Sequence, residues 1–150
     1  MKIAIGTDHA GFELKEMLKA FLKEAGHEIV DCGAYQLDAQ DDYPDFIVPV
    51  ASAVSKGEAE RGIIIGGSGQ GEAMVANRFP RVRAAVFYGG NKDIVKLFRE
   101  HNDANIISLG ARFIEENEAQ EAVKLWLDTD FSSDERHVRR IEKIDTPLQL

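Results

Sequence analysis

The sequence has little cysteine, a minority of basic side chains and no long apolar run. Cys32 is the single cysteine, so no disulfide forms within the chain, and we expect a cytoplasmic protein. Lysine and arginine number 18 against 26 aspartates and glutamates, and the net charge of −8 argues against general nucleic-acid binding. No apolar segment has the length of a membrane span, and the one that begins at Ile3 is too short for a signal peptide. We therefore expect neither nucleic acid nor a membrane as a partner.

The remaining composition is that of a globular protein, with 44% apolar residues, and the length predicts one domain, residues 1–150. Short apolar segments alternate five times with segments of helical spacing. This alternation predicts an α/β fold, a three-layer Rossmann-like sandwich with a five-stranded parallel sheet and a C-terminal helix. In the helix predicted for residues 92–100, we expect Ile94, Val95, Leu97 and Phe98 to face inward. The predicted strands are residues 2–7, 27–32, 62–66, 83–87 and 105–109.

Four of the six residues from Gly66 to Gly71, which we call the glycine loop, are glycine, and they follow a run of isoleucines. Ligands of parallel α/β folds bind at the carboxyl ends of the strands, where this loop is expected. A loop with few side chains, between a strand and the start of a helix, presents free N–H groups to an anion. The positive end of the helix dipole faces the same place. The loop matches neither the Walker A motif nor the dinucleotide fingerprint. It predicts an anion or oxyanion site, and a tight turn without a ligand is the alternative.

Each polar residue near these strand ends has two interpretations. Glu72 begins the next helix, where the dipole stabilises any carboxylate, or it is a general base that removes a carbon-bound proton. Ser68 is a turn residue or a hydroxyl that assists proton movement between substrate oxygens. Asp8 is a helix cap or a functional carboxylate. His9 beside it is suited to anion binding or to proton transfer near neutral pH.

The C-terminal half holds a second set of candidates. His101 ends a predicted helix, a favourable place for a histidine on dipole grounds alone. Arg136 and Arg140 are four apart and share a helix face, with His137 beside them, in the one dense basic cluster of an acidic chain. A solvated face is the usual explanation of such a cluster. Guanidinium groups also suit phosphate oxygens, so the alternative is a phosphate clamp with Arg112 as a further member. No metal-ligand motif stands out, and we predict neither a metal nor a cofactor.

Six segments, in this order along most of the chain, resemble the ribose-5-phosphate isomerase B family. That family includes galactose-6-phosphate isomerase subunits and allose-6-phosphate isomerases. The resemblance implies an enzyme, an aldose–ketose isomerase for phosphorylated sugars that works without metal through a cis-enediol. Each segment alone is a weak signal, whereas the ordered set is highly specific. The segments are residues 5–11 (Ile-Gly-Thr-Asp-His-Ala-Gly), 42–44 (Asp-Tyr-Pro), 66–71 (the glycine loop), 100–105 (Glu-His-Asn-Asp-Ala-Asn), 109–112 (Leu-Gly-Ala-Arg) and 136–141 (Arg-His-Val-Arg-Arg-Ile).

The family has two versions of the catalytic base. In one version a cysteine stands at the position of Gly66, and in the other a glutamate follows the glycine loop. This chain looks like the second version, so the resemblance implies that Glu72 moves the proton between C2 and C1 of the sugar. It further implies that His101 opens the furanose ring with Asp8 as its partner. The other implied contacts are Ser68 near the substrate oxygens, the amides of Gly67, Gly69 and Gly71 on the enediolate, His9, Arg112, Arg136, His137 and Arg140 on the phosphate, and Tyr43 and Asn102 on the sugar.

In the family the site lies between two subunits. The resemblance therefore implies a homodimer or a tetramer, in which His101 and the basic cluster serve the glycine loop of a neighbour. The leading hypothesis is an isomerase of ribose 5-phosphate and ribulose 5-phosphate, an enzyme of the pentose phosphate pathway. The alternatives are an isomerase of a six-carbon aldose 6-phosphate (allose or galactose), a non-catalytic sugar-phosphate-binding module, and one subunit of a hetero-oligomeric isomerase.

Overall fold

The computed structural model describes residues 1–146, which form five strands and six helices. The strands are β1 (Lys2–Thr7), β2 (Glu28–Asp31), β3 (Arg61–Gly66), β4 (Ala84–Phe87) and β5 (Ile106–Gly110). The helices are α1 (Phe12–Glu24), α2 (Pro44–Lys56), α3 (Gln70–Ala76), α4 (Asp93–Glu100), α5 (Glu116–Asp128) and α6 (Glu135–Asp145), with a 3-10 turn at His9–Gly11. None of the helices within residues 1–146 combines the length and the apolar content needed to cross a bilayer.

The sheet is buried on both faces, because successive side chains of a strand point to opposite sides. Ile63 and Ile65 of β3 pack in one cluster with α1 and α5, which includes Trp126. Ile64, between them, packs with Val50 of α2 in a second cluster on the other face. All five side chains have no exposed surface. Burying an isoleucine contributes roughly 1.5–3 kcal/mol, so the isoleucine run stabilises both layers at once.

All strand pairs are parallel, and the order across the sheet is β2-β1-β3-β5-β4. This arrangement confirms the predicted α/β, Rossmann-like fold. The chain passes from β1 to β2 on one side and then to β3 on the other, so the strand order reverses between β1 and β3. A crevice opens at such a reversal, outside the carboxyl ends of the strands. We call this side of the sheet the carboxyl edge, and the opposite side, where the segment between α4 and β5 lies, the amino edge.

One helix departs from its predicted burial. In α4, Val95 and Phe98 are buried as expected, but Ile94 is 48% exposed and Leu97 is 41% exposed. A helix of eight residues that packs on one side buries a single stripe, here defined by Val95 and Phe98. Ile94 and Leu97 lie beside that stripe, and the prediction that they face inward was wrong.

Candidate active site

Asp8 follows β1 at the carboxyl edge and caps the short turn that comes next. Its Oδ1 accepts a hydrogen bond from the Ala10 N–H at 3.0 Å, and the residue is 7% exposed. Its other oxygen, Oδ2, lies 4.0 Å from Nδ1 of His9. One oxygen of Asp8 therefore caps the turn, as one interpretation of the residue predicted, and the other faces His9.

The glycine loop is held in place by the loop that follows β5. The N–H groups of Ala111 and Arg112 donate to the carbonyls of Gly66 and Gly67 at 2.8 and 3.1 Å. On β5, the buried Ser108 hydroxyl donates to the Gly69 carbonyl at 2.6 Å. These bonds engage three carbonyl oxygens of the loop, so its conformation is set by β5 before any ligand is bound.

Ser68 makes the contact of a turn residue. Its Oγ accepts a hydrogen bond from the Gln70 N–H at 3.3 Å, two residues further along. The next residue, Gly69, has φ of 77° and leads into α3. Only glycine adopts this left-handed conformation at little cost, so the turn itself accounts for Gly69. Ser68 is half-buried, and its loop directly precedes the candidate base, Glu72.

Glu72 lies in the first turn of α3, and its carboxyl group folds back over Gly66. A Cβ added to Gly66 would lie 1.8 Å from Oε1 of Glu72 and 2.1 Å from its Cδ. The carboxyl group therefore fills the space that a side chain at position 66 would need. Glu72 is 4% exposed, and its Oε2 has no hydrogen-bond partner among residues 1–146.

The surroundings of Glu72 favour its protonated form. Burial raises the pKa of Glu72, and the negative charge of Asp8 raises it further. The backbone N–H groups of Glu72 and Gly69 act in the opposite direction. A buried carboxylate with an elevated pKa and one unpartnered oxygen is well suited to accept a proton from a substrate near neutral pH.

Tyr43 and Arg112 border the glycine loop. A Cβ added to Gly71 would lie 2.6 Å from the Tyr43 hydroxyl oxygen, and one added to Gly67 would lie 3.3 Å from Nη1 of Arg112. Tyr43 directly precedes α2, and the exposed Arg112 follows β5. The structure thus brings a phenol and a guanidinium from two further elements to the same loop.

His9 has a partner that the sequence did not predict. Oδ1 of Asp41 lies 2.6 Å from Nδ1 of His9 and accepts the His9 backbone N–H at 3.1 Å. This hydrogen bond raises the pKa of His9, and the charge of Asp8 adds to it, whereas burial and Arg112 oppose the rise. The contact joins positions 32 residues apart. No signal in the sequence distinguishes Asp41 from the other aspartates of its segment.

Asp8, His9 and Asp41 also have the spacing of a cation site, since one ligand atom from each lies within 4.8 Å of the others. Such clusters are common without an ion. Because Nδ1 of His9 is engaged by Asp41, we assign neither a metal nor a cofactor to this cluster.

His101 lies at the amino edge, far from Glu72 of the same chain. It follows α4 and precedes β5, whose five residues, at about 3.3 Å each, separate the two edges by about 16 Å. Its ring lies against that of His137 on α6, with centroids 4.3 Å apart and the planes inclined by 36°. Within this chain, Asp8 and His101 are therefore not neighbours.

His137 is buried, unlike the arginines beside it. It is 2% exposed, and its Nδ1 lies 2.8 Å from Oγ of Ser132. Burial lowers the pKa of His137, and the neighbouring His101 and Arg136 lower it further. A buried ring packed against that of His101 is better placed to support that residue than to contact a phosphate directly. Arg136 and Arg140 on the same helix are exposed.

The predicted site residues therefore form two groups within the chain. The carboxyl-edge group consists of Asp8, His9, Tyr43, Ser68, Gly67, Gly69, Gly71, Glu72 and Arg112. The amino-edge group consists of His101, Asn102, Arg136, His137 and Arg140. Neither group alone contains both the candidate base and the predicted ring-opening histidine.

The chain is similar over nearly its full length to proteins of known type. A family model described as Ribose/Galactose Isomerase matches residues 3–144. Ribose-5-phosphate isomerase B of Mycolicibacterium paratuberculosis is 41% identical over 142 residues, which are 95% of this chain and 88% of that protein. The structure of ribose-5-phosphate isomerase B from Clostridium thermocellum has a TM-score of 0.91 and 44% identity, covering 97% of this chain and 95% of the other. That of ribose-5-phosphate isomerase B from Mycoplasma genitalium with bound ribulose-5-phosphate has a TM-score of 0.91 and 38% identity, covering 96% and 93%.

The contact between Gly66 and Glu72 predicts how the substitution Gly66→Ala acts. The new methyl group displaces the carboxyl group, since that group is the mobile end of a side chain. We expect the fold to persist with a loss of stability of about 1–3 kcal/mol, and we expect activity to fall by about 10²-fold because the candidate base is misplaced. Chemical denaturation and steady-state assays measure the two effects.

Glu72→Ala provides the matched background for that experiment. Without the carboxyl group, Gly66→Ala should cost less stability, and the coupling between the two substitutions should be about 0.5–3 kcal/mol. The double variant should remain inactive. Additive losses of stability would show that the two residues do not compete for this space.

The raised pKa of Glu72 also predicts a pH-dependent effect on stability. The folded state holds this proton more tightly than the unfolded chain, so the contribution of Glu72 is largest below its unfolded pKa and declines as the pH rises through its folded pKa. Glu72→Gln removes the buried charge and should raise the melting temperature at about pH 8, with little effect at about pH 4. The exposed Glu58→Gln is the control in thermal scans, and a Glu72→Gln effect that is the same at both pH values would contradict the assignment.

Proposed function

The chain belongs to the ribose/galactose isomerase family, and we propose that it interconverts ribose 5-phosphate and ribulose 5-phosphate. The family is the one that the ordered motifs predicted, and that prediction is confirmed. The observation that carries the reaction is the buried carboxyl group of Glu72 over Gly66. Close relatives bear the name ribose-5-phosphate isomerase B, which favours the five-carbon sugar over allose and galactose phosphates. The compartment we propose is the cytoplasm, and the metabolic context is that of the pentose phosphates.

Glu72 acts as the base in this proposal. Its carboxylate takes the proton from C2 of the open-chain aldose, and C1 and C2 with their oxygens become an enediolate. The Glu72 carboxyl group, whose proton exchanges with solvent, then delivers a proton to C1 to give the ketose. The unpartnered Oε2 supplies the accepting oxygen. The raised pKa of Glu72 brings its proton affinity closer to that of a carbon acid than an exposed glutamate would have. These features support our assignment of the chain to the version of the family that uses a glutamate.

The backbone of the glycine loop holds the charge that appears on the sugar oxygens. The carbonyl groups of Gly66 and Gly67 accept from the loop after β5, and that of Gly69 accepts from Ser108. The amides of Gly67 and Gly71 serve as donors to the enediolate, whereas that of Gly69 faces the Glu72 carboxyl group. Fixed donors are effective because they need no reorganisation as the charge develops, and each is worth about 10²–10³ in rate. The Ser68 hydroxyl, in the same loop, assists proton movement between the two oxygens.

The phosphate lies at the other end of the substrate, against His9 and Arg112. Both belong to the carboxyl-edge group, and Arg112 lies beside Gly67. Tyr43, next to Gly71, contacts the sugar between the base and the phosphate. The phosphate is therefore bound by cationic side chains, and the glycine loop is left to the reacting carbons.

A second subunit completes the site. His101, Asn102, Arg136 and Arg140 lie at the amino edge, about one strand length from Glu72. In the homodimer or tetramer that we propose, these residues of one subunit face the carboxyl edge of another. His101 then opens the sugar ring beside Asp8 of its neighbour, supported by the buried His137. Several large apolar side chains remain uncovered in a single chain, including Met74 at 69% and Phe113 at 64% exposure, as expected of a subunit interface.

Proton exchange with solvent tests the proposed chemistry directly. The purified protein, without added metal, should convert ribose 5-phosphate to ribulose 5-phosphate and incorporate deuterium from D₂O at the exchanging carbon. Glu72→Gln should abolish both, a loss of at least about 10³-fold, while binding of the substrate persists. Mass spectrometry of the recovered sugars and isothermal titration measure exchange and binding.

The exposed Glu58→Gln provides a control with the same chemical change, and it should exchange like the unmodified protein. Six-carbon aldose phosphates run in parallel establish the sugar preference. Binding without exchange in the unmodified protein would indicate a sugar-phosphate-binding module instead. Full activity of Glu72→Gln would exclude this residue as the base.

The shared site predicts complementation between two inactive variants. Glu72→Gln and His101→Asn should each be inactive alone. After unfolding and refolding as a mixture, random dimers contain about a quarter of intact sites, so about a quarter of the original activity should return. Sedimentation verifies that the mixture is dimeric or larger, and each variant refolded alone is the control. Failure to regain activity in verified mixed dimers would place both residues in the same subunit's site.

A further inference from the structure

We propose that Asp41 is a positioning residue that orients the His9 ring and maintains it as the cation that binds the substrate phosphate. This inference rests on the proposed function, in which His9 contacts the phosphate. Asp41 lies in the segment between β2 and α2, outside the residues that the sequence pattern assigned to the site. Its carboxyl group is 9% exposed, and its Oδ2 is buried without a hydrogen-bond partner among residues 1–146. Burying a carboxylate with one unpaired oxygen is costly in free energy, which indicates that Asp41 has a function beyond packing.

The geometry selects Asp41 over Asp8 as the partner of the ring. Asp41 Oδ1 is 2.6 Å from Nδ1 of His9, whereas Asp8 Oδ2 is 4.0 Å from it. The other oxygen of Asp8 is engaged in capping the turn at Ala10. Oδ1 of Asp41 also accepts the His9 backbone N–H at 3.1 Å. One carboxylate thus binds both the ring and the main chain of His9, which fixes the side chain relative to the turn.

The contact decides which ring nitrogen is available to the substrate. With Nδ1 donating to Asp41, Nε2 is the nitrogen that can face a phosphate oxygen. A histidine held in this way by a carboxylate keeps a defined ring orientation. The phosphate therefore meets an N–H donor whose direction is set before it binds.

The segment that carries Asp41 is itself tethered. The buried Lys15 of α1 donates to the Ala34 carbonyl at 2.6 Å and to Asp31 at 2.9 Å. Backbone bonds join Thr7 of β1 to Gly33 and Ala34 at 2.9 and 2.7 Å. The start of this segment is thus fixed to β1, the strand that directly precedes Asp8 and His9.

The charges that face His9 explain the need for Asp41. Arg112 lies close enough to oppose protonation of the ring, while Asp8 and Asp41 favour it. When an arginine lies beside a histidine in a phosphate site, like-charge repulsion favours the neutral form of the histidine. The short contact with Asp41 counters this repulsion and lets both cations act on the phosphate together.

Asp41→Asn separates the charge of this residue from its shape, since the amide oxygen can still accept both hydrogen bonds. The matched control is Asp45→Asn, which removes the same charge from an exposed residue without side-chain partners among residues 1–146. Histidine titrations by NMR, with the His9 signal assigned by its absence in His9→Asn, should show a lower His9 pKa in Asp41→Asn and no change in Asp45→Asn. Adding inorganic phosphate should shift the His9 signal at a lower concentration in the unmodified protein than in Asp41→Asn.

Kinetics with ribose 5-phosphate distinguish positioning from a merely structural role. Between the two measured His9 pKa values, the ring is charged in the unmodified protein and neutral in Asp41→Asn. We expect KM to rise by about tenfold in that interval, with kcat nearly unchanged, and we expect the ratio of KM values to approach one at about pH 5.5, where both rings are charged. Asp41→Glu, which restores the charge, should recover part of the loss.

An unchanged His9 pKa in Asp41→Asn, a KM ratio that does not vary with pH, or a loss confined to kcat would overturn this role. If the unmodified protein does not turn over ribose 5-phosphate, the proposed function fails. The titration of His9 and its response to inorganic phosphate then still decide whether Asp41 governs the charge and orientation of the ring.

Discussion

The packing of the Glu72 carboxyl group into the space above Gly66 is the constraint on which the candidate site depends. Gly66 is the last residue of β3 and pairs with Gly110 of β5, so its position is set by the sheet. The carboxyl group reaches it only because α3 begins four residues later, after the left-handed Gly69. Burial there raises the pKa of Glu72 and leaves one oxygen without a partner. The same packing that makes the residue costly to fold makes it suited to accept a proton.

The parallel sheet accounts for the division of the site residues into two groups. Loops after β1, β3 and β5 must emerge at one edge, and the segment that leads into β5 must lie at the other. His101 cannot reach Glu72 of its own chain, because β5 lies between their two edges. The proposed subunit arrangement follows from this separation, since only a second copy brings the amino-edge group to the glycine loop. It also explains why the basic cluster of an acidic chain is so distant in sequence from the candidate base.

The acidity of the carboxyl edge is at first sight unsuited to a phosphorylated sugar. Asp8, Asp41 and Glu72 all lie there, and two of them raise the pKa of His9. In the proposed contact, the negative charge of Asp41 favours the cationic form of the His9 ring. The pKa of Glu72 is raised as well, because the charge of Asp8 adds to the effect of burial. One set of carboxylates thus favours both a charged histidine and a proton-accepting glutamate.

The sequence by itself determined the α/β fold, the parallel sheet and the position of the glycine loop, because local periodicity and turn chemistry express these directly. The family followed from the resemblance of six ordered motifs. It left two interpretations of Glu72 open, a helix-stabilising carboxylate and a base. No local sequence pattern reports the burial of Glu72 or the space above Gly66. Tertiary structure alone decided that His137 is buried against His101, that Leu97 is exposed, and that Asp41 meets His9 across 32 positions. Such contacts arise where separate elements pack together, and the spacing of residues along one element carries no record of them.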